Sequence, residues 1–146
     1  MIPVDQTICN FTNGNCFQAC VASIFELPLD DVPSFMGNGP DYFNERVQAW
    51  CDEMNLIFMD VKIIDIEVLA YYFRGVHIIV TGKSPRDPEN MHCVVWKDGQ
   101  IVHDPHPSKD GLVGDPEIFS VFIVKDCPEY LRKDGNGKDI SNARSV

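Results

Sequence analysis

The hydrophobic pattern changes its period along the chain, and this change constrains the fold more than any other feature. Apolar side chains follow helical spacing in residues 15–26 and 41–55. Toward the C-terminus the pattern favours strands in four segments: 76–82, 92–97, 100–104 and 118–124. Helices grouped before strands are typical of α+β proteins. We therefore predict an α+β fold with N-terminal helices packed on a C-terminal antiparallel β-sheet.

Shorter sequence patterns predict the remaining helices, strands and loops. Asn15 is a natural N-cap for the first helix, and Leu27-Pro28 ends that helix. Residues 29–40 predict a turn or short helix followed by a loop. Residues 56–63 favour a strand, and residues 65–74 favour a helix that stops at Gly75.

The size and composition of the chain fit one domain. Its 146 residues are 45% hydrophobic, enough for a buried core. No apolar run reaches the ~18 residues of a membrane span, and the N-terminus lacks the basic and apolar regions of a signal peptide. We expect one domain over residues 1–127, a polar and flexible tail over residues 128–146, and a cytoplasmic location.

The net charge limits the partners. With 12 basic and 22 acidic residues, the formal charge is −10. Nucleic acids and anionic membranes both favour basic surfaces, so we expect neither as a partner. The acidic balance is compatible with a basic peptide substrate. The sequence contains no pattern that predicts the oligomeric state.

Six cysteines raise the question of disulfides and metals. Without a secretion signal we expect free thiols. Cys16 and Cys20 with His103 and His106 fit no standard zinc spacing, so we predict no metal and no cofactor. A redox or zinc protein that uses Cys16 and Cys20 is a minor alternative, and we interpret Cys20 as a core residue.

Cys16 is the candidate nucleophile, although many cysteines are simply buried core residues. It begins the first predicted helix, where the helix dipole and free backbone N–H groups favour the thiolate. The same N–H groups can stabilise an oxyanion. Gly14 leaves room for substrate near the backbone.

His92 and Asp104 are the candidate partners of this thiol. An imidazole can activate a thiol and later protonate a leaving group. A carboxylate on its far ring nitrogen fixes the tautomer and orientation of the ring. Each residue alone is more often an ordinary strand-end histidine or a turn aspartate, so their mutual geometry decides the matter. Cys93 adjoins His92 but points to the other face of the sheet.

That geometry depends on the register of a predicted hairpin, for which the sequence allows two solutions. With a two-residue loop at Asp98-Gly99, His92 and Asp104 lie on opposite faces. With a three-residue loop over residues 97–99, Gly99 is left-handed in a bulge and His92 pairs with Asp104. That second register also predicts two flanking pairs: Trp96 with Gln100, and Val94 with Val102. Only the second register makes a catalytic pair.

The order Cys16, His92, Asp104 resembles that of papain-like cysteine peptidases. The runs GNCFQACVASIFELPLDDVPSF and HCVVWKDGQIVHDPHPS are similar to those of phage-encoded proteins in the small bacterial and phage branch related to double-glycine-leader peptidases. The resemblance covers about residues 1–125. It implies a papain-like fold, with Cys16 as nucleophile, His92 as base and acid, and Asp104 as the orienting residue.

The resemblance also implies a glutamine oxyanion donor shortly upstream of the nucleophile. Gln6 is the only upstream glutamine, ten residues before Cys16, and Asn10 is the nearer alternative. We predict that the Gln6 amide lies within about 5 Å of the Cys16 sulfur. The candidate substrate-binding residues are Gly14, Asn15 and His106.

The leading hypothesis is a thiol hydrolase that acts on a peptide or protein substrate through an acyl-enzyme. An acyl-transfer or deamidating enzyme would use the same three residues. A third hypothesis is a catalytically idle protein of this fold that binds a host protein. The run GNCF also resembles the nucleophile motif of ovarian-tumour-type deubiquitinases, whose histidine segment fits MHCVVW poorly.

Overall fold

The computed structural model describes residues 1–37 and 41–125. Within these ranges the chain forms three α-helices, α1 (Cys16–Phe25), α2 (Phe43–Glu53) and α3 (Ile66–Tyr72), and a short 3-10 helix (Leu29–Asp31). The strands are β1 (Leu56–Lys62), β2 (Ile78–Ser84), β3 (Asp87–Lys97), β4 (Gln100–His103) and β5 (Val113–Val124). The predicted tail over residues 128–146 and the end of the predicted domain at residue 127 lie outside the described residues.

The strands form a five-stranded sheet in the order β1-β5-β2-β3-β4. Every neighbouring pair is antiparallel. The predicted α+β class and antiparallel sheet are therefore confirmed. The strand predicted over residues 56–63 is present as β1, which precedes α3 and joins the sheet at its edge beside β5.

Helices α1 and α2 pack on one face of the sheet around an aromatic cluster. Phe17 of α1 makes edge-on contacts with Phe35, Phe43 and Phe58, at centroid distances of 5.7, 5.0 and 5.9 Å. Such perpendicular ring pairs are favoured over stacked ones. Ala19 and Ala22 of α1 are fully buried, and their small side chains let the helix approach the strands closely. This contact brings the start of α1 to β3.

Helix α3 packs on the opposite face. Asp65 caps this helix, since its side chain accepts hydrogen bonds from the backbone N–H groups of Glu67 and Val68. Leu69 is buried against a second apolar cluster, which also contains Ile78, Val80, Val94 and Trp96. None of the described helices has the length and apolar character needed to cross a membrane.

The N-terminal segment before α1 is tied to both the helix and the sheet. The backbone N–H of Val4 donates to Ser23 Oγ at 2.9 Å, and that of Gln6 donates to the Pro105 carbonyl at 2.9 Å. Asn15 precedes α1 as predicted, but its side chain makes no capping bond. These ties place Gln6 between the helix start and the end of the hairpin.

Candidate active site

Cys16 opens α1 and borders a cavity of about 340 Å³. Its backbone N–H and that of Phe17 lie in the first turn, where no intrahelical acceptor exists. One wall of the cavity is apolar and consists of Phe17, Met36 and Phe43. His92 borders the same cavity. A substrate carbonyl that enters it would therefore meet the thiol, the imidazole and free N–H groups together.

His92 and Asp104 form a buried pair. His92 Nε2 lies 2.8 Å from Asp104 Oδ1, and the two residues are only 4% and 5% exposed. Because Nε2 faces the carboxylate, Nδ1 is the ring nitrogen left for Cys16. The contact that the sequence predicted between His92 and Asp104 is present.

The hairpin reaches this contact through a two-residue loop and a bulge. The loop has two residues, Asp98 and Gly99, both with positive φ (50° and 85°). The predicted three-residue loop and its flanking pairs are wrong: Lys97 pairs with Gln100, and Trp96 with Ile101.

A bulge then corrects the register. It lies between Val95 and Trp96, so that Val95 pairs with His103 rather than with Val102. Successive side chains of a strand alternate between the two faces of the sheet. The shift by one residue therefore moves each later side chain of this strand to the other face relative to its neighbours on β3. If the shifted register is continued past the end of β4, Asp104 lies on the same face of the sheet as His92.

The Asp104 carboxylate is held by more than the imidazole. Oδ1 also accepts from the His106 backbone N–H at 2.8 Å, and Oδ2 accepts from the Gly111 N–H at 2.8 Å. Burial alone would raise the pKa of Asp104. The hydrogen bonds from His92, His106 and Gly111 outweigh it and lower that pKa to about 2. The Asp104 carboxylate is therefore ionised and can act as the counter-ion of a protonated His92.

The environment of His92 favours the protonated ring. Burial lowers its pKa, but hydrogen bonds to Asp104 and Cys16 and the charges of both groups outweigh burial. The net effect is a raised pKa for His92. A raised pKa on the imidazole beside a lowered pKa on the thiol is the condition for a thiolate–imidazolium pair.

Cys93 is the functional residue that the sequence analysis missed. Hydrogen bonding with the Cys93 thiol is the largest cause that lowers the pKa of Cys16 well below its ordinary value. Burial opposes the effect, and His92 adds to it by hydrogen bonding and charge. The contact with Cys16, together with burial, raises the pKa of Cys93, so Cys93 stays a protonated donor.

Side chains along β3 alternate between the two faces of the sheet, as predicted. This alternation does not, however, place Cys93 outside the site. Cys93 and Val95 pack in the cluster with Phe17, whereas Val94 and Trp96 belong to the other face. Since α1 covers the first of these faces, Cys93 lies under the start of the helix. Thr81 Oγ1 lies 3.3 Å from its sulfur. The combination of alternation with the predicted packing of α1 could have found it.

The other thiols take ordinary places. Cys20 is fully buried in the core, as predicted, and burial raises its pKa. Cys9, Cys16, Cys20, Cys51 and Cys93 are all free thiols. No group of three or more His, Cys, Asp or Glu residues among residues 1–37 and 41–125 is arranged to hold a metal ion.

Gln6 and Asn10 both border the cavity, but they differ in burial. Gln6 is 8% exposed, and its Nε2 donates one hydrogen bond to the Ile8 carbonyl at 2.9 Å. Its Oε1 is buried without a partner among the described residues. Asn10 is exposed, and its Oδ1 accepts from the backbone N–H groups of Thr12 and Asn13. Gln6 is thus the buried amide of the two.

The candidate substrate-binding residues occupy different places. His106 borders the cavity, with its ring perpendicular to that of His92 at a centroid distance of 6.2 Å. Gly14 also borders the cavity, but the space at its Cα is not free for substrate. A Cβ there would lie 2.2 Å from the Asn10 carbonyl oxygen, so the loop itself requires glycine.

Asn15 is a support of the site rather than part of the cavity wall. It is 4% exposed, and its Oδ1 accepts from the backbone N–H groups of Thr7 and Ile8. Its Nδ2 donates to Thr7 Oγ1 and Gln18 Oε1. The amide therefore fixes the loop that carries Gln6 against the start of α1.

Comparison of the chain with family models, with curated proteins and with solved structures finds no match. The functional interpretation therefore depends on the geometry and chemistry of the site itself.

Proposed function

We propose that the protein is a papain-like thiol hydrolase that cleaves an amide, ester or isopeptide bond through an acyl-enzyme on Cys16. The observation that carries the proposal is the buried His92–Asp104 pair, at 2.8 Å, which borders one cavity together with a thiol of lowered pKa at a helix start. Nucleophile, base and orienting carboxylate are the three parts that covalent acyl transfer needs.

In the first step the Cys16 thiolate attacks the substrate carbonyl carbon, and the new S–C bond gives a tetrahedral oxyanion. As the intermediate collapses, the bond to the leaving amine or alcohol breaks. The leaving group takes a proton from His92 Nδ1, which leaves a thioester on Cys16. Asp104 stabilises the imidazolium until that proton is transferred.

In the second step His92 Nδ1 accepts a proton from water while the water oxygen attacks the thioester carbonyl. The C–S bond then breaks, the acid product leaves, and Cys16 returns as thiolate beside the imidazolium. The substrate in this proposal is a peptide or protein, and no cofactor takes part.

The oxyanion in both steps needs hydrogen-bond donors. The backbone N–H groups at the start of α1 supply one source. The Gln6 amide is the proposed second source, because one hydrogen on Nε2 is used by Ile8 and the other has no partner among the described residues. Because the Gln6 side chain is buried in the cavity wall, its amide is already held in place before substrate binds.

Brief labelling with iodoacetamide near neutral pH, followed by mass mapping, tests the proposal. Cys16 should be modified before the other cysteines, because the thiolate is the reactive form. With p-nitrophenyl acetate, wild type should release nitrophenol and carry an acetyl group on Cys16. Cys16→Ala should remain folded and do neither.

Cys20→Ala is the matched control, since it removes a thiol one helical turn further on that is buried in the core. It should keep both reactions. First modification of any other cysteine, such as Cys20 or Cys51, or equal nitrophenol release by Cys16→Ala, would contradict the proposal. A folded Cys16→Ala variant that retains a full biological effect would instead identify a binding protein.

A further inference from the structure

The floor of the cavity continues away from Cys16 across the sheet. Thr81 on β2 pairs with Cys93 on one side and with Ile118 of β5 on the other. Ser120 of β5 pairs with Asp60 of β1. Thr81, Ile118, Ser120 and Asp60 all border the same cavity as Cys16. A row of side chains thus leads from the thiols to a carboxylate on the edge strand.

The length of this row determines how long a bound peptide must be to extend from Cys16 to Asp60. Neighbouring strands are about 4.8 Å apart, so the three steps from β3 to β1 cover roughly 14 Å. An extended chain rises about 3.3 Å per residue and would span that distance with about four residues. A peptide whose carbonyl lies at Cys16 could therefore bring a side chain three or four residues away to Asp60.

The Asp60 carboxylate has no cationic partner among the described residues. Ser120 Oγ donates to Oδ1, and Oδ2 accepts nothing from the described chain. Asp60 is an exposed residue, but some desolvation of its carboxylate raises its pKa, and the Ser120 hydrogen bond only partly offsets this. A carboxylate without a counter-ion attracts a cation that binds beside it.

The charged groups nearby do not fill this role. Lys62 and Glu117 share a shallow depression with Asp60, and Glu45 borders another, yet no ion pair joins Asp60 to a described residue. Arg86 borders the main cavity but donates to Ser108 Oγ at 3.0 Å.

We propose that Asp60, with Ser120, forms a subsite for a cationic side chain of the substrate, a lysine or arginine, at the end of the cavity remote from Cys16. The inference rests on the proposed hydrolase function and adds the class of substrate. Asp60 is in this account a specificity residue, since it lies too far from the thiol to take part in bond cleavage.

Titration of the isotope-labelled full chain with Nα-acetyl-lysine N-methylamide, followed by nuclear magnetic resonance, tests the subsite. Backbone amide shifts at Asp60 and Ser120 should saturate. The Nε-acetylated analogue has the same backbone without the charge and should bind about fivefold more weakly, the scale of one partly exposed ion pair.

Asp60→Asn keeps the shape of the side chain and an acceptor for Ser120, and should weaken binding of the cationic probe by the same factor. Glu67→Gln removes one negative charge from an exposed site on α3 and should bind the probe as wild type does. Equal binding of the two probes, or unchanged binding by Asp60→Asn, would overturn the subsite.

Iodoacetamide labelling of the same samples separates the two proposals, because the titration does not depend on thiol reactivity. If Cys16 is the fast thiol but the cation does not bind, the subsite fails and the hydrolase stands. If the cation binds but Cys16 is unreactive, the hydrolase and the substrate assignment both fail.

Discussion

His92 and His103 lie on the two strands of one hairpin and are both buried, at 4% and 8% exposure, yet their surroundings differ. His92 Nε2 meets the Asp104 carboxylate at 2.8 Å, whereas His103 Nε2 meets the Val4 backbone carbonyl at 2.8 Å. The carboxylate of Asp5 is 3.9 Å from His103 Nε2 and is largely exposed. Only His92 borders the cavity.

The difference shows which features distinguish the proposed catalytic imidazole from a structural one. Burial and a nearby acid are common to both histidines. What distinguishes His92 is a buried carboxylate on one ring nitrogen and a thiol of lowered pKa for the other. His103 instead joins the N-terminal segment to the sheet by a bond to a backbone carbonyl.

The largest expected effect comes from replacing each histidine by alanine. His92→Ala removes the base and acid, and turnover of p-nitrophenyl acetate should fall about 10³-fold. His103→Ala removes the shorter of two hydrogen bonds to the Val4 carbonyl, whose other donor is Ser23 Oγ at 3.4 Å. It should cost about 1 kcal/mol of stability in a denaturant titration, with turnover nearly unchanged. Equal loss of turnover in both folded variants would remove the distinction.

The two carboxylates provide the next comparison. Asp104→Asn keeps an oxygen acceptor but stabilises the imidazolium less, so turnover should fall, but by less than in His92→Ala. Asp5 is exposed and pairs with Lys109, so Asp5→Asn should change turnover little. Steady-state rates of the paired variants check this. A drop in Asp5→Asn as large as that in Asp104→Asn would show that His103 also acts in catalysis.

A smaller effect should follow from the Cys93 thiol. Because its hydrogen bond is the main cause of the lowered pKa of Cys16, Cys93→Ala should raise that pKa. The iodoacetamide rate of Cys16, which needs the thiolate, should then begin to fall at a higher pH than in wild type. Cys93→Ser retains a donor and should stay closer to wild type. Coincident pH profiles for all three proteins would contradict the role given to Cys93.

The sequence predicted the elements of this site better than their register. Helical spacing and the Asn15 position located the start of α1, and with it Cys16, to within one residue. The bulge opposite Val95 could not be predicted, because Ile101 and Val102 are both apolar and give no alternation to choose a face. The place of Cys93 depended on which face α1 covers, which is a tertiary contact rather than a local pattern.

The smallest expected effect lies at the turn of the hairpin that carries both histidines. Gly99 has a φ of 85°, and a Cβ there would meet nothing within 4 Å. Gly99→Ala should therefore cost only backbone strain, about 1 kcal/mol of stability in a denaturant titration. The pH profile of Cys16 labelling should not change, because the bulge between Val95 and Trp96 sets the register at the His92 end. A shifted profile would mean that the turn, rather than the bulge, holds Asp104 against His92.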